Sequence, residues 1–191
     1  SVVNHTDPNL VTQLTYNAPI TNKLLIDAGF TYHAESWGFW PQPYLPQGTY
    51  AVTELSTGVN FRARAAANRQ DRSLQGNGKV VMSYVTGSHA FKAGFQDMAG
   101  QRQLDMWTLG VPFAISLFNG TPSSLTQFTY PYGTIAKVKW YMGAFAQDQW
   151  TVNRLTLNLG LRFDALNAWV PAQTYAATPI VDARSFGDIK N

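Results

Sequence analysis

The chain has 191 residues, no cysteine and a net charge of +3, with 13% charged and 14% aromatic residues. These values exclude a disulfide framework and a thiolate metal site, and so small a charge makes no case for nucleic acid. No apolar run reaches the ~18 residues of a membrane helix, while few charges beside many aromatics suit a surface that meets something other than water.

The opening "SVVNHTDPNL" has no basic n-region, no apolar h-region and no initiator Met, so the chain reads as starting partway through a longer protein or after processing. Alternation then marks strands in chain order. Residues 10–18, "LVTQLTYNA", place Leu10, Leu14, Tyr16 and Ala18 on one face. After the turn "PITNK" comes "NKLLIDAGFTYH" from Asn22. Residues 33–78 lack clean alternation and read as loop. Next come "KVVMSYV" (79–85), with Val80, Met82 and Tyr84 together, the turn "TGSHA", and "GSHAFKAGFQDM" from Gly87. Residues 97–136 read as a second long loop.

The fifth strand, "KVKWYMGAFAQDQW" (137–150), groups Val138, Trp140, Met142, Ala144 and Ala146 against Lys137, Lys139, Tyr141 and Gln147, with Phe145 out of place on the polar side. After "TVNRL", the sixth sets Leu155, Leu157, Leu159, Leu161 and Phe163 against Thr156, Asn158, Arg162 and Asp164. Residues from 167 onward read as loop.

The second, fourth and sixth strands resemble one another, each a polar turn followed by alternation with a glycine at the same place. The glycines, Gly29, Gly94 and Gly160, are spaced by 94 − 29 = 65 and 160 − 94 = 66. Three hairpins with short turns at one end and long loops at the other have the asymmetry of an outer-membrane barrel; compact soluble domains favour short connections throughout. Each alternating run covers 7 to about 10 residues, near the ~9–11 of a tilted crossing. Alternation by itself fits a soluble sandwich equally well, because the charges of the sixth strand would then face water.

The segment "GAFAQDQWTVNRLTLNLGLRFD" resembles late barrel strands of TonB-dependent outer-membrane receptors, and "SYVTGSHAFKAGFQ" resembles a recurring hairpin of their Oar-like branch, whose members carry a carboxypeptidase-regulatory-like domain ahead of plug and barrel. About 60 residues carry the resemblance, all of them barrel. It implies an all-β, antiparallel up-and-down transmembrane β-barrel segment of about six to eight strands, with residues 1–191 a partial receptor barrel lacking plug and N-terminal domains. Such receptors have about 22 strands, so six would form part of the wall. Leu155, Leu157, Leu159, Leu161 and Phe163 then face lipid, and Asn158, Arg162 and Asp164 face the lumen.

The resemblance makes Trp140 and Trp150, with Tyr16, Tyr32 and Tyr141, an interfacial girdle; ordinary strand aromatics are the alternative. Asp148 stands to pair with Arg154 across the turn, or to be solvated there. Trp37, Trp40 and Tyr44 lie in an aromatic, proline-rich outer loop that grips a ligand or packs on itself. Arg62, Arg64, Arg69 and Arg72 contact lipopolysaccharide phosphates or an anionic ligand, or form a solvated face. His5, His33 and His89 show no ligand spacing, and His89 reads as a solvated turn residue. "GNG" at 76–78 is a turn signal without the context of a phosphate cradle. Neither a nucleophile elbow nor a carboxylate pair stands out, so no enzyme, cofactor or metal is expected. Expected partners are outer-membrane lipid and lipopolysaccharide, an unidentified substrate, and the TonB complex through the missing parts of the receptor. Two other readings stand beside this one. One is a small porin or adhesin barrel with extra strands around "YAVTELSTGVNFRAR" and "GVPFAISLF"; the other is a secreted carbohydrate-binding β-sandwich whose leucines a second sheet shields.

Overall fold

The structure is a computed structural model and describes residues 2–63, 68–129, 131–178 and 180–190. Among these residues thirteen strands follow in order: β1 (Val2–Pro19), β2 (Leu24–Pro41), β3 (Ala51–Glu54), β4 (Val59–Arg62), β5 (Asn68–Thr86), β6 (His89–Trp107), β7 (Phe113–Phe118), β8 (Thr121–Gln127), β9 (Tyr132–Val152), β10 (Leu155–Val170), β11 (Gln173–Tyr175), β12 (Arg184–Phe186) and β13 (Ile189–Lys190). The main sheet has the order β1-β2-β5-β6-β9-β10-β13 and is open, with every ladder antiparallel. Six long strands run up and down as three hairpins, as the alternation predicts.

The turns are built by local chemistry. Gly87 (φ 51) and Asn153 (φ 54) take positive φ at the first position of the two-residue links β5–β6 and β9–β10, as type II′ hairpins require. In the first turn the Thr21 hydroxyl accepts the backbone N–H groups of Lys23 (3.1 Å) and Leu24 (3.0 Å). Pro8, which cannot donate to a ladder, sits in the register shift between Thr6 and Asn9 of the edge strand β1.

The strands are longer than expected, at 16 to 21 residues. Much of 33–78 and 97–136, expected as loop, is strand. Beyond the apolar stretch both faces become polar or mixed, so the period-two signal fades while the hydrogen-bond ladder continues. The outer connections do hold strands at the two places considered, but these form a separate four-stranded sheet, β4-β3-β7-β8, joined by a parallel β3–β7 ladder. They add nothing to the wall.

Among the described residues only Ala34, Ala51, Leu109 and Ala114 are buried apolar side chains. Among the described residues no second sheet covers the leucines of β10: Leu161 is 85% exposed and Phe163 65%.

Candidate functional site

The registers sort the long strands into two faces. In β10, Leu155, Leu157, Leu159, Leu161 and Phe163 share one face, opposite Val152, Trp150, Asp148, Ala146 and Ala144 of β9. Carried across the ladders, the same face holds Phe91 and Phe95 of β6, Val80, Met82 and Tyr84 of β5, Phe30 and Tyr32 of β2, and Leu10, Leu14 and Tyr16 of β1. Most of these side chains are exposed. The apolar face therefore extends over six strands.

Trp150 and Trp140 lie on this face ten residues apart. At ~3.3 Å per residue and a tilt of ~40°, that is ~25 Å along the membrane normal, the height of the apolar band between two aromatic girdles. Tyr16 and Tyr32 share the face, whereas Tyr141 lies on the opposite one. Trp140 is mid-strand, since β9 continues outward to Tyr132. A register shift between Met98 and Gly100, and between Asn167 and Ala168, inserts an extra residue in β9 at this height. Below it Trp140, Met142, Ala144 and Ala146 group as expected. Past it Lys137 pairs with Trp169 on the apolar face, and Val138 moves to the other. The bulge corrects the expected placing of both residues.

The opposite face carries Asn158, Arg162 and Asp164 together with Thr156. Arg162 grips Asp164 with two hydrogen bonds, Nε to Oδ2 at 2.7 Å and Nη2 to Oδ1 at 2.6 Å. The pair lies over Gly143, where an added Cβ would meet Arg162 Nη2 at 2.6 Å. A groove of about 420 Å³ on this face is lined by Gln13, Thr15, Thr31, Asn77, Lys79 and Tyr141 among others. The repeated glycines explain themselves here. Each is the sixth residue of its strand and is covered by a neighbouring strand's side chain: Gly29 by Lys79, Gly94 by Phe145, Gly160 by Gln147. Phe145 stands on the polar face because its ring lies over Gly94.

The strongest ionic cluster lies farther out on the polar face. Asp71, 2% exposed, accepts from Arg69 Nη2 (2.9 Å), Arg102 Nε (2.8 Å) and Arg102 Nη2 (2.5 Å). The Arg69 guanidinium lies 4.4 Å over the Trp37 ring. Asp71 is 15 residues from Thr86 at the turn end of β5, ~38 Å along the normal at ~3.3 Å per residue and ~40° tilt, and so outside the ~25 Å band. Hydrogen bonding to Arg102 holds its carboxyl well below the ordinary carboxylate range, with Arg69 helping against the upward push of burial.

Several expected groupings do not form. Trp37 and Trp40 belong to β2, on opposite faces: Trp37 packs edge-on to Phe39, and Trp40 meets His5 and Trp107. "SWGFW" is aromatic and strand-favouring, and the chain leaves the sheet only at Pro41. Tyr44 alone is in the loop, 72% exposed. Of the arginines, Arg72 lies on the face opposite Arg69 and pairs with Asp105. Arg62 is over Tyr50 in the small sheet, and Arg64 lies outside the described residues. Asp148 bonds His89 (2.6 Å) instead of Arg154, and His89 is stacked on Phe91 and Trp150 instead of being solvated. Sequence reading missed Asp71, Arg102 and the His89–Asp148 pair because each joins residues 31 or more positions apart.

In comparison with known proteins, the family described as outer membrane beta barrel domain matches residues 3–178. No curated protein and no solved structure matches the chain.

Proposed function

We propose, from the premise that this chain belongs to the outer membrane beta barrel domain family, that it forms wall and outer loops of a TonB-dependent, Oar-like receptor that moves a substrate across the outer membrane. The protein is an outer-membrane β-barrel protein; the receptor role is the further step. In this reading Leu155, Leu157, Leu159, Leu161 and Phe163 face lipid, Trp140 and Trp150 mark its two boundaries, and Asn158, Arg162 and Asp164 line the lumen. The pairing of Arg162 with Asp164 fits a polar lumen, since an arginine turned to lipid near the midplane costs ~2–4 kcal/mol. Function then consists of binding and gating, with no covalent step, and coupling to the TonB complex belongs to other parts of the receptor.

The observation that carries this reading is the open sheet. Six long strands fall short of the eight of the smallest usual closed barrel. The short outer strands that might have supplied the difference pair with one another. Lipid does not tolerate unpaired edges, so the wall needs further strands, as in a large receptor barrel. The motif "GAFAQDQWTVNRLTLNLGLRFD" falls on the β9–β10 hairpin, where β10 sets four leucines and Phe163 in one row on the face, which supports the same assignment.

The test is expression with a signal peptide, isolation of outer membranes, and electrophoresis with and without boiling. The expected result is insertion only when companion barrel strands are supplied. A boiling-dependent mobility shift from this chain alone would replace the receptor reading with a small self-contained barrel. A soluble, monomeric β protein would overturn both.

A further inference from the structure

The bulge in β9 places Lys137 on the face where sequence alternation expects apolar residues. Beyond it, one row runs across three strands: Lys137 pairs with Trp169, and Trp169 pairs with Lys190. Lys137 Nζ lies 5.4 Å from the centre of the Trp169 ring. Lys139, the residue beside Trp140, completes a groove of about 660 Å³ that Lys137, Lys139, Asn167, Trp169 and Lys190 line together. Lys190 is paired with Asp188 at 2.6 Å. Among the described residues no carboxylate forms an ion pair with Lys137 or Lys139. The groove therefore carries two uncompensated positive charges.

Its height is as informative as its charge. Trp169 is on the same face as Leu157, twelve residues farther along β10, and Leu157 pairs with Trp150 at the turn-end girdle. Twelve residues at ~3.3 Å and ~40° of tilt place Trp169 ~30 Å above that girdle, about 5 Å past the end of a ~25 Å apolar band. The end is the one with the long connections, which in outer-membrane barrels faces the exterior. Lysine stems there lie along aromatic surface and their ammonium groups reach the headgroup layer.

We propose that this groove binds a phosphate group of an outer-leaflet phosphorylated glycolipid, with Lys137 and Lys139 meeting the phosphate, Lys190 flanking it, and Trp169 as the apolar floor. The proposal rests on the reading of the apolar face as lipid-facing. It also moves the anion contact expected of the Arg62–Arg72 stretch to a different place, since Arg69 and Arg72 already spend their guanidinium groups on Asp71 and Asp105. A basic side chain at an anionic membrane surface strengthens binding about fivefold, so losing both unpaired lysines should cost about 25-fold.

The experiment uses the full chain in outer membranes, with the companion strands its insertion needs, extracted in detergent. Affinity is measured for lipopolysaccharide and for the same material after phosphatase treatment. Lys137→Gln with Lys139→Gln should weaken binding of the phosphorylated form about 25-fold and leave the dephosphorylated form unchanged. Lys137→Arg with Lys139→Arg should retain binding, and Lys79→Gln on the opposite face should change nothing. A boiling shift in each variant confirms that it is folded. Equal affinity for the two lipid forms, or an unaffected double glutamine variant, would overturn the site while leaving the barrel reading intact. Complete displacement by millimolar inorganic phosphate would overturn the glycolipid as occupant. A chain that never reaches the membrane would overturn the site and the barrel reading together.

Discussion

Replacing Leu161 with arginine separates a lipid-facing wall from a water-facing sheet more sharply than any other single change. Leu161 is the most exposed large apolar residue described, at 85%, so in water the substitution would cost almost nothing. In a bilayer the position is decisive. Leu161 lies four residues from Leu157, the partner of Trp150, which is ~10 Å above the girdle and close to the middle of a ~25 Å band. Arginine there should cost ~2–4 kcal/mol, a fall of roughly 30- to 900-fold in the folded-to-unfolded ratio. The control is Asn158→Arg, on the polar face of the same strand, expected to lie within ~0.5 kcal/mol of the parent. Both are compared by denaturant unfolding of the protein reconstituted in lipid vesicles. Equal stability of the two variants would refute the assignment of faces.

Gly94→Leu should destabilise the wall by ~1–3 kcal/mol, because a Cβ at Gly94 would meet the Phe145 ring at 2.6 Å. Phe145→Ala should restore part of that loss in the double variant, measured by the same unfolding assay. Asp71→Asn should cost ~1–3 kcal/mol by weakening charged hydrogen bonds. Because the folded Asp71 carboxyl is depressed, mainly by Arg102, its contribution is complete above about pH 4 and lost as pH falls below that value; pH-dependent unfolding of parent and variant should converge in acid. Glu54 accepts from Ser56, Asn119 and Gly120 and is pushed down to about 2, the Ser56 hydroxyl being the largest cause. It thus ties the two outer connections together above its unfolded value and releases them as pH falls towards about 2. Glu54→Ala should speed proteolysis within 42–63 and 108–129 at neutral pH, while the long strands stay protected.

The legible part of the molecule is the part whose two faces differ in polarity. "LTLNLGLRFD" announces β10 because its residues alternate between apolar and polar, and the hairpin turns announce themselves through Gly87 and Asn153. Where the two faces no longer differ in polarity, as in "SWGFW" or "NRQDRSLQGNG", the alternation fades and the strand reads as loop. The bulge at Lys139 is invisible for a different reason. It changes the register by one residue without changing composition, and a single slip exchanges the faces of Lys137 and Val138. The Asp71 cluster and the His89–Asp148 pair depend on which strands become neighbours, which alternation within one strand does not encode. The small sheet illustrates the converse: β3, β4 and β7 fall in the two segments singled out by sequence, whereas β8, "TPSSLTQ", and the parallel β3–β7 ladder are not legible there.

The central claim, that one face of this sheet is bathed in lipid and the other in water, is open to direct measurement because the chain contains no cysteine. Single cysteines placed in turn at residues 155–164 of β10 and labelled with a fluorophore report their surroundings one position at a time. In reconstituted vesicles, the labels at 155, 157, 159, 161 and 163 should be quenched by quenchers attached to lipid chains and spared by iodide, and those at 156, 158, 160, 162 and 164 should show the reverse. Uniform iodide quenching along the strand, or alternation of the opposite phase, would contradict the account.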